Sequence, residues 1–65
     1  MKVPNINDLI DVYHTNSVER KTAKVLSYHK KNNRIIGLEG VLINNPDVEI
    51  YIYTKDLKIW MYRDI

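Results

Sequence analysis

Two histidines, His14 and His29, and eight carboxylates are the groups in this 65-residue chain that could move protons or hold a metal ion. A zinc site would have to draw on carboxylates, because no HxxxH spacing and no cysteine is present to complete an imidazole or thiolate set. General acid–base catalysis needs a positioned histidine or paired carboxylates in a concave site. Asp8 and Asp11 lie three apart, but Asp8 suits the first turn of a helix and Asp11 its solvent face. His14 reads as a helix exit and His29 as a strand end. No GxSxG, P-loop or GxGxxG occurs, and both glycines, Gly37 and Gly40, fall inside a strand pattern. The expectation is a protein that is not an enzyme and carries no metal or cofactor.

Charge placement is more informative. From Arg20 to Arg34 the chain carries Arg20, Lys21, Lys24, Lys30, Lys31 and Arg34, with no carboxylate among them. The other four Lys and Arg share the rest of the chain with all eight Asp and Glu, a local balance of −4 that the overall +2 conceals. Within YHKKNNR (28–34), Lys30, Lys31, Asn32 and Asn33 are what a solvated turn requires. A turn does not account for Arg20, Lys21 and Lys24 upstream. A basic strand edge with a basic tip can follow a phosphate backbone, each contact adding to a salt-dependent affinity.

Aromatic residues form the second cluster. Val48, Ile50 and Ile52 alternate with Glu49, Tyr51 and Tyr53, and Leu57, Ile59 and Met61 alternate with Lys58, Trp60 and Tyr62. A turn at Lys55-Asp56 would set Ile52 opposite Ile59 and Tyr51 opposite Trp60. Tyr51, Tyr53, Trp60 and Tyr62 would then share one face, with Leu42 nearby, and the aliphatic residues would take the core side. Such a patch suits a protein interface or a platform on which single-stranded bases stack.

The elements that must position these groups form one domain, residues 1–65. A chain this short buries only about 60% of its unfolded surface. Without cysteines it has no disulfides, which leaves an efficient core or self-association. Hydrophobic residues make up 45% and charged residues 28%, ordinary for a globular protein. No apolar run is long enough for a transmembrane helix or an export signal, so no membrane partner is expected and the cytoplasm is the default. The initial Met and the Asn-, Ile- and Lys-rich composition suggest a complete small reading frame of phage or mobile-element type.

Ile6, Leu9, Ile10 and Tyr13 follow the spacing of an amphipathic helix, with Asn5 or Asn7 as cap and an exit at His14-Thr15-Asn16. Residues 17–31 fit either a helix capped by Ser17 or a strand from about Thr22, and the Asn32-Asn33 pair that follows favours the strand and a hairpin. Asn44-Asn45-Pro46-Asp47 is a turn by composition and would pair Val41 and Ile43 with Ile50 and Val48. Ile36 and Leu38 are on one parity and Val41 and Ile43 on the other, so a bulge is expected at Gly40. The fold class expected is α+β, mainly β: a short N-terminal helix followed by a bent four- to five-stranded antiparallel sheet or small SH3-like barrel.

AKVLSYHKKNNRIIGLEGV (23–41) resembles the KOW motif of ribosomal proteins and transcription elongation factors, through KVL, the KKNNR turn, RII and EGV. Ala23 stands where that pattern usually has glycine, and one extra residue lies between Ile36 and Glu39. The plan of a helix and a β-meander ending in MYRDI is also similar to Sm-like proteins. The first likeness implies two strands of an SH3-like barrel that contacts RNA, ribosome or polymerase, and the second a five-stranded barrel that assembles into rings and binds RNA.

Two functions follow as expectations. In the first, Arg20, Lys21, Lys24, Lys30, Lys31 and Arg34 neutralise the phosphates of RNA or another single strand, while Tyr51, Tyr53, Trp60 and Tyr62 stack on bases. In the second, the Tyr/Trp face docks on a host protein, as an inhibitor or adaptor would. In either case the chain is expected to form homo-oligomers.

Overall fold

Alternation, not helical periodicity, organises the N-terminus. The computed structural model describes residues 3–15, 19–53 and 60–65, and in it Leu9–His14 form strand β1. Val12 is fully buried and Ile10 packs against the core, whereas Ile6 and Leu9 are exposed, so the expected helical stripe does not form. No helix occurs among the described residues. The expected α+β class with an N-terminal helix is therefore corrected to an all-strand, mainly β fold.

The local cause is Asn7, whose φ of 75° is a left-handed conformation that a continuing helix cannot contain and that asparagine tolerates. Asn5 to Asp8 close a turn. The Asp8 N–H donates to the Asn5 carbonyl (3.1 Å), and the Asp8 carboxylate accepts from the Asn5 N–H (2.9 Å). The polar residues that suggested a helix start cap this turn instead. Beyond it the β-branched Ile10 and Val12 face inward one strand step apart, as a pleated surface favours.

Four further strands follow: β2 (Arg20–Lys31), β3 (Arg34–Leu42), β4 (Asn45–Tyr53) and β5 (Met61–Asp64). Consecutive strands pair antiparallel, and the sheet closes into a barrel through a parallel pairing of β1 with β5, Tyr13 opposite Met61 and His14 opposite Tyr62. Closure is the arrangement that removes sheet edges.

β2 is a strand, beginning at Arg20 rather than Thr22. Twelve residues at the usual strand rise span about 36 Å, more than the molecule's 31 Å long axis, so β2 has to bend. The register shifts between Val25 and Ser27, leaving Leu26 as the extra residue of a bulge. A second shift leaves Ile36 unpaired on β3. The bulge expected at Gly40 is thus displaced, and Leu38, Gly40 and Leu42 keep one inward parity. Gly40 answers to close approach: a Cβ there would collide with the Lys24 carbonyl oxygen.

The β2–β3 turn is the one the asparagines call for. Asn32 and Asn33 have φ of 53° and 64°, the two positive values of a type I′ turn, with Lys31 opposite Arg34. The β3–β4 turn comes earlier than expected, at Ile43-Asn44, with Leu42 opposite Asn45. A further register shift, between Val41 and Leu42, sets Glu49 and not Ile50 opposite Val41, and the expected pairing of Val41 and Ile43 with Ile50 and Val48 is corrected.

β5 carries the largest change. Ile52 pairs with Tyr62 and Tyr53 with Met61, which moves β5 by an odd number of residues from the expected register and reverses its faces. The expected turn at Lys55-Asp56 lies outside the described residues. Every strand contributes to the core: Val12, Ala23, Val25, Leu38, Leu42, Ile50, Ile52 and Tyr62. Full burial of each large aliphatic side chain is worth about 1.5–3 kcal/mol.

Candidate nucleic-acid interface

Outward-facing residues line up in oblique rows across the barrel. One row runs His29, Gly37, Tyr53, Met61, Tyr13 and back to β2 at Arg20, each residue paired with the next. A circuit of the barrel starting at His29 thus returns nine residues earlier on the same strand. The neighbouring row is Ser27, Glu39, Tyr51 and Arg63. Beyond His29 the hairpin tip presents Lys31 opposite Arg34, with Lys30 beside them. Basic tip and tyrosine face are therefore contiguous.

Tyr51 organises this surface. Its ring leans from β4 across Gly37 on β3, in the space a Cβ at Gly37 would occupy. Its hydroxyl shares a 2.9 Å hydrogen bond with Nδ1 of His29 on β2. The two rings meet edge to face at 5.6 Å, and Tyr53 meets Tyr51 in the same way at 5.3 Å. The Arg63 guanidinium sits 5.3 Å from the Tyr51 centroid, within cation–π range. Tyr53 has one ring contact, with Tyr51, and its hydroxyl has no hydrogen-bond partner among the described residues.

The cations divide by position. Lys30, Lys31 and Arg34 are exposed and have no ion-pair partner among the described residues. Arg20 lies 3.8 Å from Asp11, both exposed, a geometry that stabilises by less than about 1 kcal/mol. Lys24 is half-buried between Leu9 and Val41 in register. Lys21 lines a shallow depression at the barrel end with Glu19, Leu42 and Asn45. Glu39, exposed and bonded to Ser27 at 3.4 Å, places one carboxylate beside Tyr51.

Of the four aromatic residues expected on one face, the structure keeps Tyr51 and Tyr53 together outside and sends the other two inward. Tyr62 is buried, at 3% exposure, between β4 and β1 and packs edge to face on His14. Trp60 packs against the core where Val3, Pro4 and Ile10 cover one barrel end. Their shared parity with the inward side of β5 is the reason. In exchange the surface gains His29, Arg63 and Tyr13, which sequence reasoning set aside. Tyr13 was hidden by the helical reading, and His29 by its distance in sequence from Tyr51.

Among the described residues no group of three or more His, Cys, Asp or Glu is placed to hold a metal ion. No helix among them is long and apolar enough to cross a membrane. No family model, curated protein or solved structure matches the chain.

Proposed function

We propose that the chain is a non-catalytic nucleic-acid-binding protein that takes RNA or another single strand on the face formed by Lys31, Arg34, Tyr51, Tyr53 and Arg63. The observation that carries this reading is the register of β2, β3 and β4. It sets the cations of the hairpin tip, unpaired among the described residues, one step beyond the row of His29, Gly37 and Tyr53, with Tyr51 in the row behind. Cations that follow a backbone beside rings that meet bases are the two components of single-strand recognition. The likeness of residues 23–41 to KOW segments points the same way.

Fluorescence anisotropy of a labelled single-stranded RNA, titrated with the protein at two salt concentrations, tests it. Affinity should fall with a slope near −0.7 per phosphate contact, roughly −2 to −3 for three to four cations. Absence of binding at low salt would overturn the reading. The same face would then be assigned to a protein partner, a host protein or a second copy of the chain, although Trp60 and Tyr62, anchors such an interface would favour, lie on the inner side.

A further inference from the structure

We infer that Tyr53 is the base-stacking residue of this face, that Tyr51 is its positioning residue, and that the ligand is an unpaired strand whose phosphates lie on the hairpin-tip side. The inference rests on the nucleic-acid reading above and assigns its parts.

Tyr51 is committed on several sides: Gly37 lies under its ring, His29 holds its hydroxyl, Tyr53 meets it edge to face and Arg63 sits over it. An incoming base would have to displace one of these. Among the described residues Tyr53 has a single ring contact and an uncommitted hydroxyl, yet that contact fixes the angle at which its ring is presented. A half-buried ring held at one edge is preorganised for stacking and loses little freedom when a base arrives. Duplex offers no free base face, so the ring selects unpaired strands.

Charge sets the path of the backbone. Lys31 and Arg34 flank the row of Tyr53 on one side, while in the row on the other side Glu39 offsets Arg63, whose guanidinium is engaged over Tyr51. Phosphates therefore pass on the Lys31 and Arg34 side, where no carboxylate pairs with those cations among the described residues. Arg20, at the far end of the same row, lies three strand spacings from Tyr53, about 14 Å over the barrel surface.

The test compares four labelled probes: a pyrimidine decamer as RNA and as DNA, an abasic decamer with the same backbone, and a ten-base-pair duplex. Tyr53→Leu should weaken the two intact decamers roughly 5- to 100-fold with the salt slope unchanged, and Tyr53→Trp should restore affinity. Wild-type protein should bind the abasic decamer as weakly as Tyr53→Leu binds the intact ones. Arg34→Ala should do the opposite, reducing the salt slope by about 0.7. If intact and abasic decamers bind equally and salt-dependently, the nucleic-acid reading stands and the stacking assignment falls. If duplex binds as well as the decamers, the assignment to unpaired strands falls. If no probe binds at low salt, the reading beneath it falls as well.

Discussion

The Tyr51 hydroxyl reaches Nδ1 of His29 at 2.9 Å although β3 runs between their strands. The contact exists because Gly37, the β3 residue on that line, has no side chain. One ring thereby ties three strands together on the outside of the barrel, at a place where a 65-residue core leaves little stabilisation to spare.

Gly37→Ala should displace that ring. The Cβ would occupy the position of the Tyr51 phenol, an overpacking that costs about 1–3 kcal/mol. Because the obstacle is a side chain and not backbone, Tyr51→Ala should relieve it. Urea unfolding of the two single variants and the double variant should give a clear coupling between the sites. Strict additivity would show that the ring does not rest on Gly37.

Tyr62 and Tyr53 should behave in opposite ways. Truncating a large buried aromatic costs about 3–5 kcal/mol, comparable to the whole stability of a domain this size. Tyr62→Ala should therefore lose the cooperative melt followed by circular dichroism. Tyr53→Ala, on a half-exposed outward position, should melt within a few degrees of the parent chain. A folded Tyr62→Ala would contradict the β4–β5 register.

That contrast marks how far the sequence is legible. Alternation in β4 was readable because Val48, Ile50 and Ile52 are separated by polar or amphipathic residues, and the observed burial follows it. In β5 both parities are amphipathic: Trp60 and Tyr62 on one side, Met61 and Arg63 on the other. Hydrophobicity then decides nothing, and the register depends on the connection from β4, which shifts every face when it changes by one residue. At the N-terminus, Ile6, Leu9, Ile10 and Tyr13 satisfy a helical period while Ile10, Val12 and His14 satisfy a strand period. A closed barrel needed a fifth wall opposite β5, and long-range pairing outweighed the local pattern. The hairpin tip was legible because Asn32-Asn33 encodes its turn locally. The neighbourhood of His29 and Tyr51 was not, since two bulges intervene between pattern and pairing.

The Asn32-Asn33 turn gives a local test. Both residues hold positive φ, which a β-branched side chain adopts only at a cost of about 1–2 kcal/mol. Asn33→Val should lower the urea midpoint accordingly, and Asn33→Gly should leave it unchanged or higher. Equal midpoints for the two variants would mean that the tip does not hold a type I′ turn. Because Lys31 and Arg34 flank this turn, Asn33→Val should also weaken RNA binding.

Glu39 provides the sharpest electrostatic prediction. It is the cross-strand partner of Tyr51, exposed, and among the described residues bonded only to the Ser27 hydroxyl at 3.4 Å, so its charge faces any anion on the tyrosine surface. At a separation of about 8 Å in water, one unit charge repels another by about 0.5 kcal/mol, a factor of roughly two in affinity. Glu39→Gln keeps the shape and an acceptor for Ser27 while removing that repulsion. It should raise affinity for a single-stranded RNA decamer two- to fivefold at low salt, and the gain should vanish near 1 M, where the screening length falls to about 3 Å. Asp47→Asn, exposed and four residues before Tyr51 on β4, should have a smaller effect. Equal gains from the two substitutions would indicate attraction to net charge alone, and a gain confined to Glu39 would locate the phosphates on the face that carries Tyr51 and Tyr53.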